Sequence, residues 1–256
     1  MCAQKRNREV MDLSCEYTSP NWDERPKGTD VDTVILHYTG MKSGQEALDR
    51  LCDPVAAVSA HYLVEIDGRI FKLVAEEKRA WHAGVSCWQG RDNINHSSIG
   101  IEMVNPGHEF GYRPFPDVQI QALLALLEGV RSRHSTIPKT RYLGHSDIAP
   151  GRKIDPGPLF PWRRLAENGF GVFSDKYAGD RTVALRKGDT GETVINLNKQ
   201  LGIVGYYGCE CDSIGPGTED ALRAFQAHWR PEAVNGTLDM GTAIVLDDIA
   251  QLVMAK

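Results

Sequence analysis

The stretch Gly144-His145-Ser146-Asp147-Ile148-Ala149-Pro150-Gly151-Arg152-Lys153-Ile154-Asp155-Pro156-Gly157-Pro158 packs a histidine, two aspartates, a lysine, three prolines and three glycines into one connection. Few of these side chains can fill a core, so a buried helix or strand is a poor reading and a stiff Pro/Gly loop a good one. Such a loop can hold His145, Lys153 and Asp155 in fixed positions. Imidazole and carboxylate are ligands that suit zinc, and Lys153 points a cation at the same spot. Taken alone, a loop with His and Asp is most often a solvated turn. A catalytic zinc site also needs a third protein ligand and an open position, which the rest of the chain has to supply.

Working outward, Asp32 to Tyr38 is β-branched and apolar, a buried strand that ends at Thr39-Gly40. His37 therefore sits near the C-terminal end of a strand, where α/β domains place functional groups. By itself it reads equally as a ligand or as a satisfied core histidine. Gln45 to Cys52 reads as a short helix stopped at Asp53-Pro54. Ser59 to Ile66 and Arg69 to Val74 read as strands joined by the hairpin signal Asp67-Gly68. Trp81-His82-Ala83-Gly84 fits a cleft wall or simple packing under a loop.

Ser98 to Asn105 is another apolar strand, interrupted by Glu102. A carboxylate in so apolar a strand is costly unless it is paired or used. Glu102 is thus the best candidate for a general acid/base; a place on a solvent-facing side of the strand is the alternative. Asp117, as N-cap, opens an amphipathic helix to about His134, with Ile120, Leu123, Leu124, Leu127 and Val130 in helical period. Arg141 to Leu143 is a short strand that delivers the His145 loop, and Phe160 to Leu165 starts a further helix.

At 256 residues, with 41% hydrophobic and 25% charged residues, the chain is an ordinary globular sequence of one large or two smaller domains. A net charge of −5 without a basic block argues against nucleic acid as a partner. No apolar run is long enough to span a membrane, and Met1 to Val10 has no apolar signal-peptide core. The six cysteines follow no disulfide or CxxC rhythm, Cys209-Glu210-Cys211 being a loop with two thiols. Free thiols and no export signal together point to the cytoplasm.

Residues 1–30 read as an irregular lead-in, 31–170 as the catalytic domain and 171–181, Gly- and Asp-rich, as a linker. Residues 182–256 carry three helical patterns (Val194, Leu197, Leu201; Leu222, Phe225, Trp229; Val245, Ile249, Leu252) separated by Gly/Asn turns. They form a small all-α module without a chemical constellation, which reads as a binding module.

Strand-borne His37 and Glu102 and loop-borne His145 and Asp155 combine into one hypothesis. His37, His145 and Asp155 hold zinc, Glu102 moves a proton beside it, and Lys153 stabilises an oxyanion. Such a site cleaves an amide or ester, and spacing does not say which.

These residues resemble the zinc-dependent N-acetylmuramoyl-L-alanine amidases of the AmpD/AmiD type, the amidase-2 family, related to peptidoglycan recognition proteins. The matching pieces are Val34 to Thr39, Ser59 to Val64 with Asp67-Gly68, Trp81 to Gly84, Asn95, Ser98 to Glu102 and Gly144 to Gly157. They span roughly residues 20–170. The resemblance implies an α/β fold, a mixed β-sheet flanked by helices, with zinc on His37, His145 and Asp155 and with Glu102 and Lys153 catalytic. His61, Trp81, His82 and Asn95 are its candidate substrate-binding residues, His61 fitting the cleft floor or plain strand packing. Relatives with a tyrosine before the second histidine-bearing block have Ala60 here, which puts proton transfer on Glu102.

Residues 182–256 resemble the three-helix peptidoglycan-binding domain, through Leu185 to Gly191, Gly215 to Gln226 and Asn235 to Asp239. The implied reaction is hydrolysis of the amide between N-acetylmuramic acid, or its anhydro form, and L-alanine of the stem peptide. A non-catalytic peptidoglycan binder and a zinc peptidase acting within the stem are the alternatives. A wall-binding module would favour the envelope over the cytoplasm as the place of work.

Overall fold

The computed structural model describes residues 13–176, 179–207 and 212–255. Cys2 and the Cys209-Glu210-Cys211 thiol pair lie outside them, while Cys15, Cys52 and Cys87 are free thiols.

A six-stranded mixed sheet carries the site. Its spatial order is Leu13–Ser14, Ile70–Lys72, Tyr62–Val64, Ser98–Met103, Thr33–Tyr38 and Tyr142–Gly144. Thr33–Tyr38 lies between two parallel neighbours, Ser98–Met103 and Tyr142–Gly144. That explains its unbroken Val34-Ile35-Leu36 run, all three side chains being fully buried. Asp67-Gly68 does turn the chain between antiparallel strands, with Tyr62 opposite Lys72 and Val64 opposite Ile70.

The helix Asp117–Arg133 covers one face through Ile120, Leu123, Leu126, Leu127 and Val130. The expected Asp117 cap is not made. Pro116 holds the cap position without a side-chain bond, and Asp117 instead accepts from Gln121 and Arg164. The lead-in, expected to be irregular, contains two short strands from residue 13 onward. Leu13–Ser14 extends the main sheet, and Trp22–Glu24 pairs antiparallel with Lys78–Ala80. At two and three residues they are too short for periodicity to reveal.

Three helices, Glu192–Val204, Pro216–Trp229 and Met240–Met254, make most of the C-terminal part, which is not all-α as expected: Val183–Leu185 pairs antiparallel with Leu238–Asp239. Its core does not close on itself. Ile35, Trp88, Leu143 and Ile148 of the sheet region belong to the same buried cluster as Leu201, Phe225 and Ile249. The seam is also polar. Asp147, on the short helix His145–Ile148, accepts from the Gly144 N–H, the Tyr206 hydroxyl and His228 Nδ1, each at 2.7 Å. The His228 ring is stacked between Trp162 and Trp229, with both centroid separations 3.7 Å. The connection between the two parts is packed as well: Phe173 touches both cores, and Ser174 donates to Asp248.

Candidate active site

Three side chains from three segments meet at the C-terminal end of the central strands. His37 is near the end of Thr33–Tyr38. His145 follows Gly144, which is in register with Leu36 on the neighbouring strand. Asp155 comes back along the Pro/Gly loop, fixed by the bond from Ser146 N–H to its carbonyl at 2.9 Å. His37 Nδ1 is 3.0 Å from His145 Nδ1, and Asp155 Oδ2 is 3.1 Å from each.

All three are buried. A tetrahedral zinc about 2.0–2.1 Å from each donor sets donor–donor separations near 3.3 Å, a few tenths more than those observed. Two imidazole nitrogens and one carboxylate oxygen are also the donor chemistry of catalytic zinc. The residues present fit the ion.

Electrostatics agree. Burial, reinforced by His145, lowers the His37 pKa to about 4, so the ring is neutral and has a lone pair to give. For Asp155, burial acts upward, but His145 and His37 outweigh it and hold the carboxyl far below its usual range.

Glu102 is the register partner of His37 on the adjacent parallel strand, so the two side chains leave the same face of the sheet. Its Oε2 is buried and has no hydrogen-bond partner in the protein. Burial first and the Asp155 charge second push its pKa up to about 8, against the opposing pull of Lys153. An unpartnered carboxylate at this spot has a proton to take or give and nothing structural to hold.

The solvent-facing alternative for Glu102 does not hold, since it lines a cleft of about 380 Å³ together with His37, His145, Asp155 and Lys153. Trp81 and His82 line that cleft too, as do Arg50 and Arg152, which sequence reasoning did not single out. Arg152 is clamped by the Ala83 and Val85 carbonyls.

The structure does not bring His61 and Asn95 to the cleft. His61 is fully buried between strands: its Nδ1 accepts from the Gly100 N–H at 2.9 Å, and its Nε2 faces the Lys78 carbonyl at 3.1 Å. Burial and the nearby Arg25 cation lower its pKa to about 3. Asn95 Oδ1 accepts from the backbone N–H groups of His82 and Ala83, at 3.1 and 2.8 Å. Of the two readings of His61, strand packing is the one observed. Asn95 anchors the Trp81–Gly84 segment.

The family model for N-acetylmuramoyl-L-alanine amidase matches residues 27–158, which contain every residue that lines the cleft. The chain belongs to that family. A peptidoglycan binding domain model matches residues 190–246, the region of the three helices. N-acetylmuramoyl-L-alanine amidase AmiD of Escherichia coli is 35% identical over 233 residues, covering 86% of this chain and 83% of that one.

Among solved structures, the complex of E. coli AmiD with anhydro-N-acetylmuramic acid-L-Ala-D-gamma-Glu-L-Lys has a TM-score of 0.74 at 33% identity. It covers 90% of this chain and 93% of that one. AmpDh3 from Pseudomonas aeruginosa has a TM-score of 0.75 at 34% identity and covers 98% and 99%. The present amidase is therefore an enzyme of this class, with the mixed sheet and C-terminal helices of those neighbours. Among the described residues no helix is long and apolar enough to cross a membrane.

Proposed function

We propose that this amidase is a zinc enzyme that hydrolyses the amide between the lactyl group of N-acetylmuramic acid, or its anhydro form, and L-alanine of the stem peptide. The anhydro-muropeptide bound by the AmiD neighbour supports the substrate. The observation that carries the chemistry is the unpartnered Oε2 of Glu102 beside the His37–His145–Asp155 cluster.

Those three side chains would hold the zinc, which would supply Lewis acidity to activate water near neutral pH and polarise a carbonyl. Glu102 takes the proton of the attacking water and returns it to the leaving nitrogen of L-alanine as the C–N bond breaks. The Lys153 ammonium stabilises the oxyanion that forms on the lactyl carbonyl. Arg50 and Arg152 on the cleft wall are cations placed for the carboxylates of the stem peptide. The products are a lactyl carboxylate and a peptide with a free L-alanine amine.

Mass spectrometry of an anhydro-muropeptide digest, with and without a zinc chelator, tests this. Intact stem peptide starting at L-alanine, lost on chelation and restored by zinc, is the expected result. Cleavage within the stem, or release that survives chelation, contradicts the reading.

A further inference from the structure

The hydrogen bonds behind the two histidines form a chain whose direction follows from its far end. The Ile94 carbonyl can only accept, and Ser98 Oγ lies 2.7 Å from it, so the one hydroxyl proton of Ser98 points there. Ser98 Oγ must then accept from His82 Nε2, 3.1 Å away, which places the His82 proton on Nε2. His82 is buried and no carboxylate is among its hydrogen-bond partners. The neutral ring, with one N–H, is the form that fits. His82 Nδ1 is consequently an acceptor for His37 Nε2, 3.1 Å away. His37 Nε2 then carries the proton, and His37 Nδ1 faces Asp155 and His145 as a bare lone pair.

We propose that His82 is a positioning residue, which with Ser98 fixes the tautomer and ring orientation of His37 so that Nδ1 is ready for the metal. This rests on the zinc-amidase reading and deepens it. The same segment treats His145 in the same way. Its Nε2 is 3.0 Å from the Ala83 carbonyl, which only accepts, so Nε2 carries a proton there and Nδ1 is the nitrogen turned to Asp155 and His37. Asn95 pins both residues of the segment through their backbone N–H groups. His37 Nδ1, His145 Nδ1 and Asp155 Oδ2 thus face one another, an arrangement that a cation completes.

The strand beneath is shaped for this ring. A Cβ at Gly100 would stand 2.3 Å from His82 Cγ and 2.5 Å from Cδ2, so only glycine leaves the ring its place. Ser98, Gly100 and Glu102 alternate onto one face of the Ser98–Met103 strand. The first orients His82, the second gives it room, and the third enters the cleft.

The test uses ¹⁵N-histidine-labelled full-length protein without metal. Two-bond ¹⁵N–¹H correlation NMR reports which ring nitrogen of His37 bears the proton. The wild type should show a single Nε2–H form, and an Nδ1–H form in the wild type overturns the proposal outright. Zinc affinity is then measured by competition with a chelating dye. His82→Phe, which keeps the ring volume, and the milder Ser98→Ala should give mixed His37 tautomers and about 10- to 100-fold weaker zinc binding. His82→Gln, which keeps an acceptor and a donor, should recover part of it. A folded His82→Phe protein with wild-type tautomer and zinc affinity within twofold of wild type refutes the role of His82. Failure of the wild type to bind zinc would instead refute the parent reading, and the metal-free NMR result still decides the tautomer.

Discussion

Replacing Glu102 with glutamine removes a charge from a site built to make that charge uncomfortable. The pKa of this carboxyl rises from 4.5 to about 8, chiefly by burial. At about 1.4 kcal/mol per unit, this sets a ceiling of about 5 kcal/mol on what ionised Glu102 costs the fold; water in the cleft screens part of it.

The sign follows from the two states. Below pH 4.5 the carboxyl is protonated folded and unfolded, and contributes nothing. Between pH 4.5 and 8 the unfolded chain releases the proton while the folded chain keeps it, so stability falls as pH rises. Above pH 8 the full cost is present. Urea denaturation of metal-free wild type and Glu102→Gln at pH 5, 7 and 9 should therefore give curves that nearly coincide at pH 5 and diverge at pH 9. The glutamine variant should be the more stable at pH 9, by about 2–5 kcal/mol. Zinc should narrow the gap, because a divalent cation beside Glu102 favours its charged form. A difference independent of pH, or a wild type more stable than the variant at pH 9, would refute the assignment of an unpartnered, desolvated carboxylate.

Other consequences are as specific. Gly100→Ala drives a Cβ into the His82 ring; it should cost about 1–3 kcal/mol by denaturation and weaken zinc binding in a dye competition. His228→Ala strips the buried Asp147 of a donor and removes the ring held between Trp162 and Trp229. A loss of about 3 kcal/mol is expected in urea denaturation, and a change under about 0.5 kcal/mol would mean that the seam contributes little. Lys153→Ala should keep its zinc, measured by atomic emission, while kcat drops by about 10²–10³ and KM changes little.

The sequence made some of this legible and hid the rest for physical reasons. His37, Glu102, His145 and Asp155 were readable because each signal is local: an apolar strand with one polar residue, or a Pro/Gly stretch dense in ligands, although His145–Ile148 is a buried helical turn where a loop was expected. Their convergence is a property of the parallel register, His37 beside Glu102 and Leu36 beside Gly144, which no single segment encodes. Asp147 stood in the same quoted loop without a role, since its partners Tyr206 and His228 lie 59 and 81 residues away. The C-terminal helices were legible as three periodic segments, but not as sharing a core with Trp88 and Ile148. His82 does line the cleft, whereas Asn95, which accompanies the other site blocks in sequence, does not. The ring seated over Gly100 and the amide beneath the backbone are features of the folded sheet, which no local stretch spells out.

The most direct measurement compares zinc content and single-turnover release of stem peptide in Asp155→Ala and Glu102→Ala, side by side with wild type. Asp155→Ala should lose the metal and all turnover together. Glu102→Ala should hold one zinc per chain and still turn over about 10²–10⁴-fold more slowly. Near-normal turnover in Glu102→Ala, or a full zinc complement in Asp155→Ala, would contradict the division of work between the three ligands and the carboxylate beside them.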